Sequence, residues 1–318
     1  MPALASSQPV TEETAGGATL VVGAGGFLGS EVVRALAAGG HRVVGLVRDG
    51  TKAARVTAAG GTAAVGDVLD QPSLVRAAQG CTNFVHLASA WNDSSAPEAR
   101  ALEVRVEGAR NLARAAGEVG GRRLVVGSGY WIYPDTPGPI DETTPAAPEG
   151  ESRANHDAET AATEAAREAH AEVLVVRPGM VYGDGAWFRP MAEAIREGSY
   201  RVVEGGTNHW SFVALSDTGA AFRAVLESGR AGEVYNVVDG MPATWRDFVR
   251  TVAAELGRPP PPSIDRRTAE ELYGPIVARH LLANRYLLPE RLRALGWRPR
   301  FPSYREGIPP LLREMAWP

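Results

Sequence analysis

The chain has almost no cysteine. Cys81 is the only one in 318 residues, so no disulfide can form within the chain, and a reducing, cytoplasmic compartment is expected. Long hydrophobic runs are missing as well. None approaches the ~18 residues needed to cross a bilayer, which argues against a membrane protein. Segment 1–17 has neither a basic start nor an apolar centre, so it does not read as a signal peptide. A disordered tail is expected there. Basic charge is not in excess. The net charge of −4 argues against a nucleic-acid partner, whose binding protein would carry a basic face. No Cys/His cluster suggests a metal. There is no internal repeat, and the only low-complexity block is the Pro run within Gly257–Ile264.

What remains is an ordinary globular mix, 44% hydrophobic and 22% charged, with enough apolar material for a sizeable core. Its partner is expected to be a small-molecule substrate. Apolar runs alternate with helical stretches from Thr19 onward. Strands are expected at Thr19–Val22, Arg42–Val47, Thr62–Val65, Phe84–Ala88, Leu124–Val126 and Val173–Val176, with one returning strand at Val234–Val238. Helices are expected at Phe27–Ala38, Ser73–Ala78, Pro97–Gly117 and Ser152–Ala169. Strands alternating with helices imply parallel pairing through crossovers, hence an α/β, Rossmann-type doubly wound parallel sheet. The chain is expected to divide into a core at 18–182 and a small C-terminal, substrate-covering lobe at 183–318, from which 211–240 returns to the core. Ligands of such sheets sit at the carboxyl ends of the strands.

The first strand runs into Gly23-Ala24-Gly25-Gly26-Phe27-Leu28-Gly29, and a helix follows. Gly23 permits a tight bend, Gly26 lets backbone approach a pyrophosphate, and Gly29 lets helix pack on strand. The helix N-terminus then offers amides and partial positive charge to phosphates. Gly23, Gly25, Gly26, Phe27 and Leu28 are therefore candidate cofactor residues for a dinucleotide. The second strand ends at Val47-Arg48-Asp49. An acid just past that strand would serve the 2′-hydroxyl of NADH, whereas Arg48 suits the 2′-phosphate of NADPH. NADPH is the expected cofactor.

These motifs, in this order, resemble the extended short-chain dehydrogenase/reductase family, the group with sugar epimerases, dehydratases and dihydroflavonol-type reductases. The resemblance covers about residues 18–260. Gly66-Asp67-Val68 resembles the adenine-contacting segment. Val85-His86-Leu87-Ala88-Ser89 resembles the fourth-strand motif beside the nicotinamide ribose. Val176-Arg177-Pro178-Gly179-Met180-Val181-Tyr182-Gly183 resembles the segment that closes over the nicotinamide. Trp210-Ser211-Phe212-Val213 with Asp217, and Gly232–Val237, resemble its later motifs. The resemblance thus implies Asp67, Val68, Leu87, Ala88, Ser89, Pro178, Gly179 and Val181 as further cofactor contacts. Helices 97–117 and 152–169 correspond to a pair that many members use for dimers, so a monomer or a homodimer is expected.

The same family's reductases use a Ser, a Tyr and a Lys, with an Asn in support, and here all four roles are vacated. Arg105 stands in the place of the Asn. The Ser falls on Gly129, with Ser128 one position early. The Tyr falls on Ser152 and the Lys on His156. No Tyr-x-x-x-Lys occurs anywhere in the chain.

Three readings follow. One is an atypical NADPH-dependent ketoreductase acting on an apolar polycyclic, aromatic-polyketide-like metabolite of antibiotic-tailoring type. Its proton would come from substrate or solvent, and Ser128 or His156 would assist. Trp91, Tyr130, Trp131, Met180 and Trp187 are its candidate substrate contacts, with Phe188 and Trp210 nearby. The second is a non-catalytic NADP-binding sensor or scaffold. The third is a sugar-nucleotide epimerase or dehydratase, against which the missing tyrosine speaks. Tyr133 and Tyr182 are expected to pack, and His86 to be a satisfied core histidine.

Overall fold

The computed structural model describes residues 17–89 and 98–317. Seven strands form the central sheet: β1 (Ala18–Val22), β2 (Val43–Val47), β3 (Thr62–Val65), β4 (Cys81–His86), β5 (Arg123–Gly127), β6 (Glu172–Pro178) and β7 (Val234–Val237). Their order is β3-β2-β1-β4-β5-β6-β7, and every neighbouring pair is parallel. This is the doubly wound arrangement that the alternating runs predicted. The order reverses between β1 and β4, which opens a crevice at their carboxyl ends.

The strands are near-continuous Val and Leu because both faces of the sheet are covered. Alternation sends Leu20, Val22, Phe84, Leu124 and Val126 to one face and Val21, Val85, Val125, Leu174 and Val176 to the other. Helices α1 (Phe27–Ala38), α2 (Ala53–Ala58), α3 (Gln71–Ala78), α4 (Glu98–Glu118), α5 (Arg153–Glu168), α6 (Phe188–Glu197), α7 (Leu215–Ser228) and α8 (Trp245–Glu255) follow in chain order. Residues of α3, α4 and α5 fill the first face and those of α1 and α7 the second. Apart from Glu159, the buried side of α5 is all alanine, Ala158, Ala161, Ala162, Ala165 and Ala166, which allows it to lie close on α4.

Past Tyr182 the chain builds a lobe around stacked aromatics. Phe212 and Phe248 lie 4.1 Å apart and nearly parallel, and Trp210 sits 4.4 Å from Trp245. Helices α9 (Arg266–Tyr273), α10 (Pro275–Leu282), α11 (Glu290–Ala294) and α12 (Tyr304–Glu314) complete the chain. Besides α7 and β7, the segment around α11 rejoins the core, where Leu292 and Trp297 are buried with Val237. The Arg291 guanidinium donates to the Val234 carbonyl at 3.1 Å. Among the described residues, no helix is long and apolar enough to cross a membrane.

Candidate functional site

The glycine turn at the carboxyl end of β1 is shaped by backbone contacts. Gly23 has φ +79°, and a Cβ there would come within 2.6 Å of the Leu87 carbonyl at the end of β4. A Cβ on Gly29 would meet the Gly23 oxygen at 2.0 Å. Only glycine therefore lets α1 start so close to the strand. No side chain caps the N-terminus of α1 and no acid sits in its first turn, so Phe27 and Leu28 open a helix end suited to an anion. A cradle of this shape fits the pyrophosphate of a dinucleotide.

The end of β2 adds charge. Arg48 is exposed there. The carboxylate of Asp49, the acid next to Arg48, accepts from both the amide and the hydroxyl of Thr51. It is thereby tied to its own turn, and these bonds hold it below the usual carboxylate range. Two cations that sequence reasoning missed lie beside it. The Lys52 stem rests over Gly25, and the Arg55 guanidinium reaches the Gly25 carbonyl at 3.5 Å. Their signal was present, since Lys52 and Arg55 lie four and seven residues past Arg48.

The other expected cofactor residues border the same crevice or its walls. Asp67 accepts from the Leu69 amide at 2.9 Å and pairs with Arg100 at 3.5 Å, while Val68 is buried beneath α4. The Leu87 amide donates to Val22, which joins β4 to β1; Ala88 is buried and Ser89 exposed. Pro178 and Gly179 are buried where β6 meets β7, and a Cβ on Gly179 would meet the Ser211 carbonyl at 2.4 Å. Val181 is half-buried beyond them.

Two of the vacated positions, Arg105 and Gly129, come together through Asn155. The Arg105 guanidinium on α4 donates through Nη1 to Asn155 Oδ1 on α5. Asn155 Nδ2 lies 3.1 Å from where a Gly129 side chain would begin. Beside Gly129, the Ser128 hydroxyl is buried and makes no hydrogen bond. His156 does not join them. Its side chain is 42% exposed, and its nearest acid is Asp157 at 3.9 Å. The residue of α5 that approaches Gly129 is Asn155, one position before the one that sequence spacing selected. The reason is Glu159. It is buried four residues past Asn155, on the same helical face, and is locked there by Arg177. Ser152, the expected tyrosine position, exchanges hydrogen bonds with the Glu149 backbone and serves the turn before α5.

His86 is 1% exposed, but the sequence expectation of a satisfied histidine fails, because its Nε2 has no partner. Burial first, and then the nearby Arg105 charge, hold its pKa down to about 3, so the ring is neutral. Desolvation lowers Arg105 itself to about 10, which leaves it charged at neutral pH. Tyr133 packs as expected. Its hydroxyl accepts from Arg177 at 3.0 Å and donates to Asn236 at 2.9 Å.

Three of the five expected substrate contacts form one cluster. The Tyr130 hydroxyl points at the Met180 sulfur, 3.9 Å away, and Trp131 packs edge-on against Tyr130. Trp131 also stacks on His280 of α10 at 4.8 Å. His280 had no sequence signal, because nothing local links α10 to the turn after β5. Trp187 lies elsewhere. Its indole N–H donates to the Val181 carbonyl at 2.7 Å, and its ring packs on Trp245 and Phe248. Phe188 and Trp210 belong to that same lobe core. Trp91 lies outside the described residues. No group of acidic, Cys or His side chains among the described residues could hold a metal ion.

A family profile described as the NAD dependent epimerase/dehydratase family matches residues 19–238. The chain is 32% identical over 303 residues to a 3-diazoavenalumate denitrifying reductase from Streptomyces sp, covering 91% of this chain and 98% of the relative. It is 29% identical over 255 residues to a 4-hydroxy-2-methyl-3-oxo-4-farnesyl-3,4-dihydroquinoline-1-oxide ketoreductase from Stigmatella aurantiaca, covering 76% of each. Its fold matches the human epimerase family protein SDR39U1, solved with NADPH. That match has a TM-score of 0.77 and 23% identity, and it covers 93% of this chain and 99% of the other.

Proposed function

Because the chain belongs to the NAD dependent epimerase/dehydratase family, we propose that it is an NADPH-dependent reductase that needs no tyrosine acid. Its substrate is an aromatic ketone of secondary-metabolite type. The single observation that carries this reading is an intact glycine cradle beside a site where Arg105, Gly129 and Asn155 stand in place of the acid–base set. Relatives named as reductases support it.

The residues that would hold the cofactor are the turn Gly23–Gly29, with Arg48, Lys52 and Arg55 around the 2′-phosphate. Bound there, the nicotinamide supplies hydride. Positioning is then the main demand on the protein. The Ser128 hydroxyl, buried with no partner, is the group that donates to the substrate carbonyl oxygen as negative charge develops. A phenol next to the ketone adds a donor of its own. Tyr130, Trp131 and Met180 offer flat and polarisable walls to an aromatic ring.

A second reading keeps the hydride and changes the acceptor. A relative of this chain is named for denitrifying reduction of a diazo compound. An aryl diazonium accepts hydride at nitrogen without any proton donor, which suits the vacated acid positions.

The test is loss of nicotinamide absorbance with NADPH against a panel of phenol-flanked aryl ketones and one aryl diazonium salt. Oxidation on a ketone supports the first reading, and oxidation on the diazonium alone supports the second. Tight NADPH binding with no oxidation on either would make the protein a dinucleotide-binding sensor.

A further inference from the structure

Arg177 and Arg105 hold the same kind of neutral partner but differ in what fills their forks. Arg177 gives Nη1 to the Tyr133 hydroxyl, while Nε and Nη2 grip the two carboxylate oxygens of Glu159 at 3.0 and 2.6 Å. Arg105 also gives Nη1 to a neutral oxygen, Asn155 Oδ1. Among the described residues, no carboxylate lies within ion-pairing distance of it, and its Nε and Nη2 donate to no side chain. Arg105 is half-buried, and a partly desolvated guanidinium with no counter-charge gains from an anion that completes it. The dinucleotide's phosphates would sit at the glycine turn and the end of β2. Arg105 lies instead beside Asn155, whose amide nitrogen borders Gly129 just past the end of β5.

We propose that the Nε/Nη2 fork of Arg105 binds a carboxylate on the substrate. The enzyme would then select aromatic acids, with the amide of Asn155 aiming the guanidinium and the Ser128 hydroxyl left for the reacting group. A planar fork matches a carboxylate in two parallel bonds, which a lysine cannot reproduce. This rests on the reductase reading for the identity of the substrate but not for the existence of the anion site.

The experiment titrates 4-acetylbenzoate and its methyl ester into protein saturated with NADP⁺, followed by calorimetry. NADPH oxidation by the same two probes is measured in parallel. The wild type is expected to bind the acid at least tenfold tighter than the ester. Arg105→Met removes that preference, and Arg105→Lys restores only part of it. Should the Arg105 variants fail to fold, Asn155→Asp supplies an internal counter-ion and is expected to weaken the acid and spare the ester. NADP⁺ affinity should stay unchanged throughout. Equal binding of acid and ester by the wild type overturns the carboxylate site, even if NADPH is oxidised. Arg105-dependent binding of the acid, without oxidation of NADPH by it or by any phenol-flanked ketone, keeps the site and removes the ketone-reductase reading.

Discussion

The guanidinium of Arg177 on β6 grips the carboxylate of Glu159 on α5 with two hydrogen bonds, and both side chains are less than a tenth exposed. This pair sets which face of α5 looks at the sheet, and through it the place of Asn155. Breaking one side of such a pair leaves the other charge buried and alone. Glu159→Ala is therefore expected to lower stability by about 3–5 kcal/mol, measured by urea unfolding. It should also loosen the Arg105–Asn155 contact one helical turn away.

The cations at the end of β2 predict cofactor choice. Lys52→Ala or Arg55→Ala is expected to weaken NADPH by roughly tenfold, the worth of one charge-assisted phosphate contact. NADH should change little. Fluorescence titration of both nucleotides checks this, and an equal loss for the two would remove the 2′-phosphate from the account.

Fold and cofactor turn were legible in the sequence because each rests on local rules. Val and Leu runs, helix periodicity and three spaced glycines mark strands, helices and the phosphate cradle without any tertiary contact. The candidate catalytic site was legible only to within one residue. Motif spacing placed the lysine position of α5 at His156, while the helix face is fixed by the long-range Glu159–Arg177 pair, which brings Asn155 inward instead. The Trp131–His280 stack was invisible for a similar reason, since it joins the turn after β5 to α10. Trp187 looked like a pocket residue by position. Its N–H is spent on the Val181 carbonyl and its ring on the lobe core.

Because His156 faces solvent, His156→Ala is expected to change turnover only a few-fold. Among the described residues, Ser128→Ala removes the one buried hydroxyl with no partner beside the vacated positions and should lower kcat by roughly ten- to a hundredfold, with KM less affected. Steady-state kinetics on one aryl ketone separates the two. A full loss in His156→Ala with NADPH still bound would make that ring the acid.

Asp239 gives the fold a pH dependence. Burial pushes its pKa up to about 8, with nearby Asp217 adding to the rise. The folded state then holds a proton that the unfolded state releases above about pH 4. Its contribution to stability is present below the unfolded value and is lost as pH rises toward 8. Asp239→Asn keeps the acceptor for the Met241 amide and removes the titration. From pH 6 to pH 8 the variant should gain on the wild type by at most about 2.7 kcal/mol, two units at 1.36 kcal/mol each. Urea unfolding at the two pH values measures it. His280 works in the opposite sense. Its pKa, held down to about 4 by burial and then by Arg285, costs stability as pH falls through 6.5 toward 4.

The most direct measurement is deuterium transfer from NADPH labelled at the nicotinamide C4, with an aryl ketone as acceptor and the product carbon read by mass spectrometry and NMR. The predicted result is one deuterium on the former carbonyl carbon, delivered to a single face, at a rate that His156→Ala leaves nearly intact. Tight binding of labelled NADPH with no label in any product would contradict the reductase and leave a protein that only binds the dinucleotide.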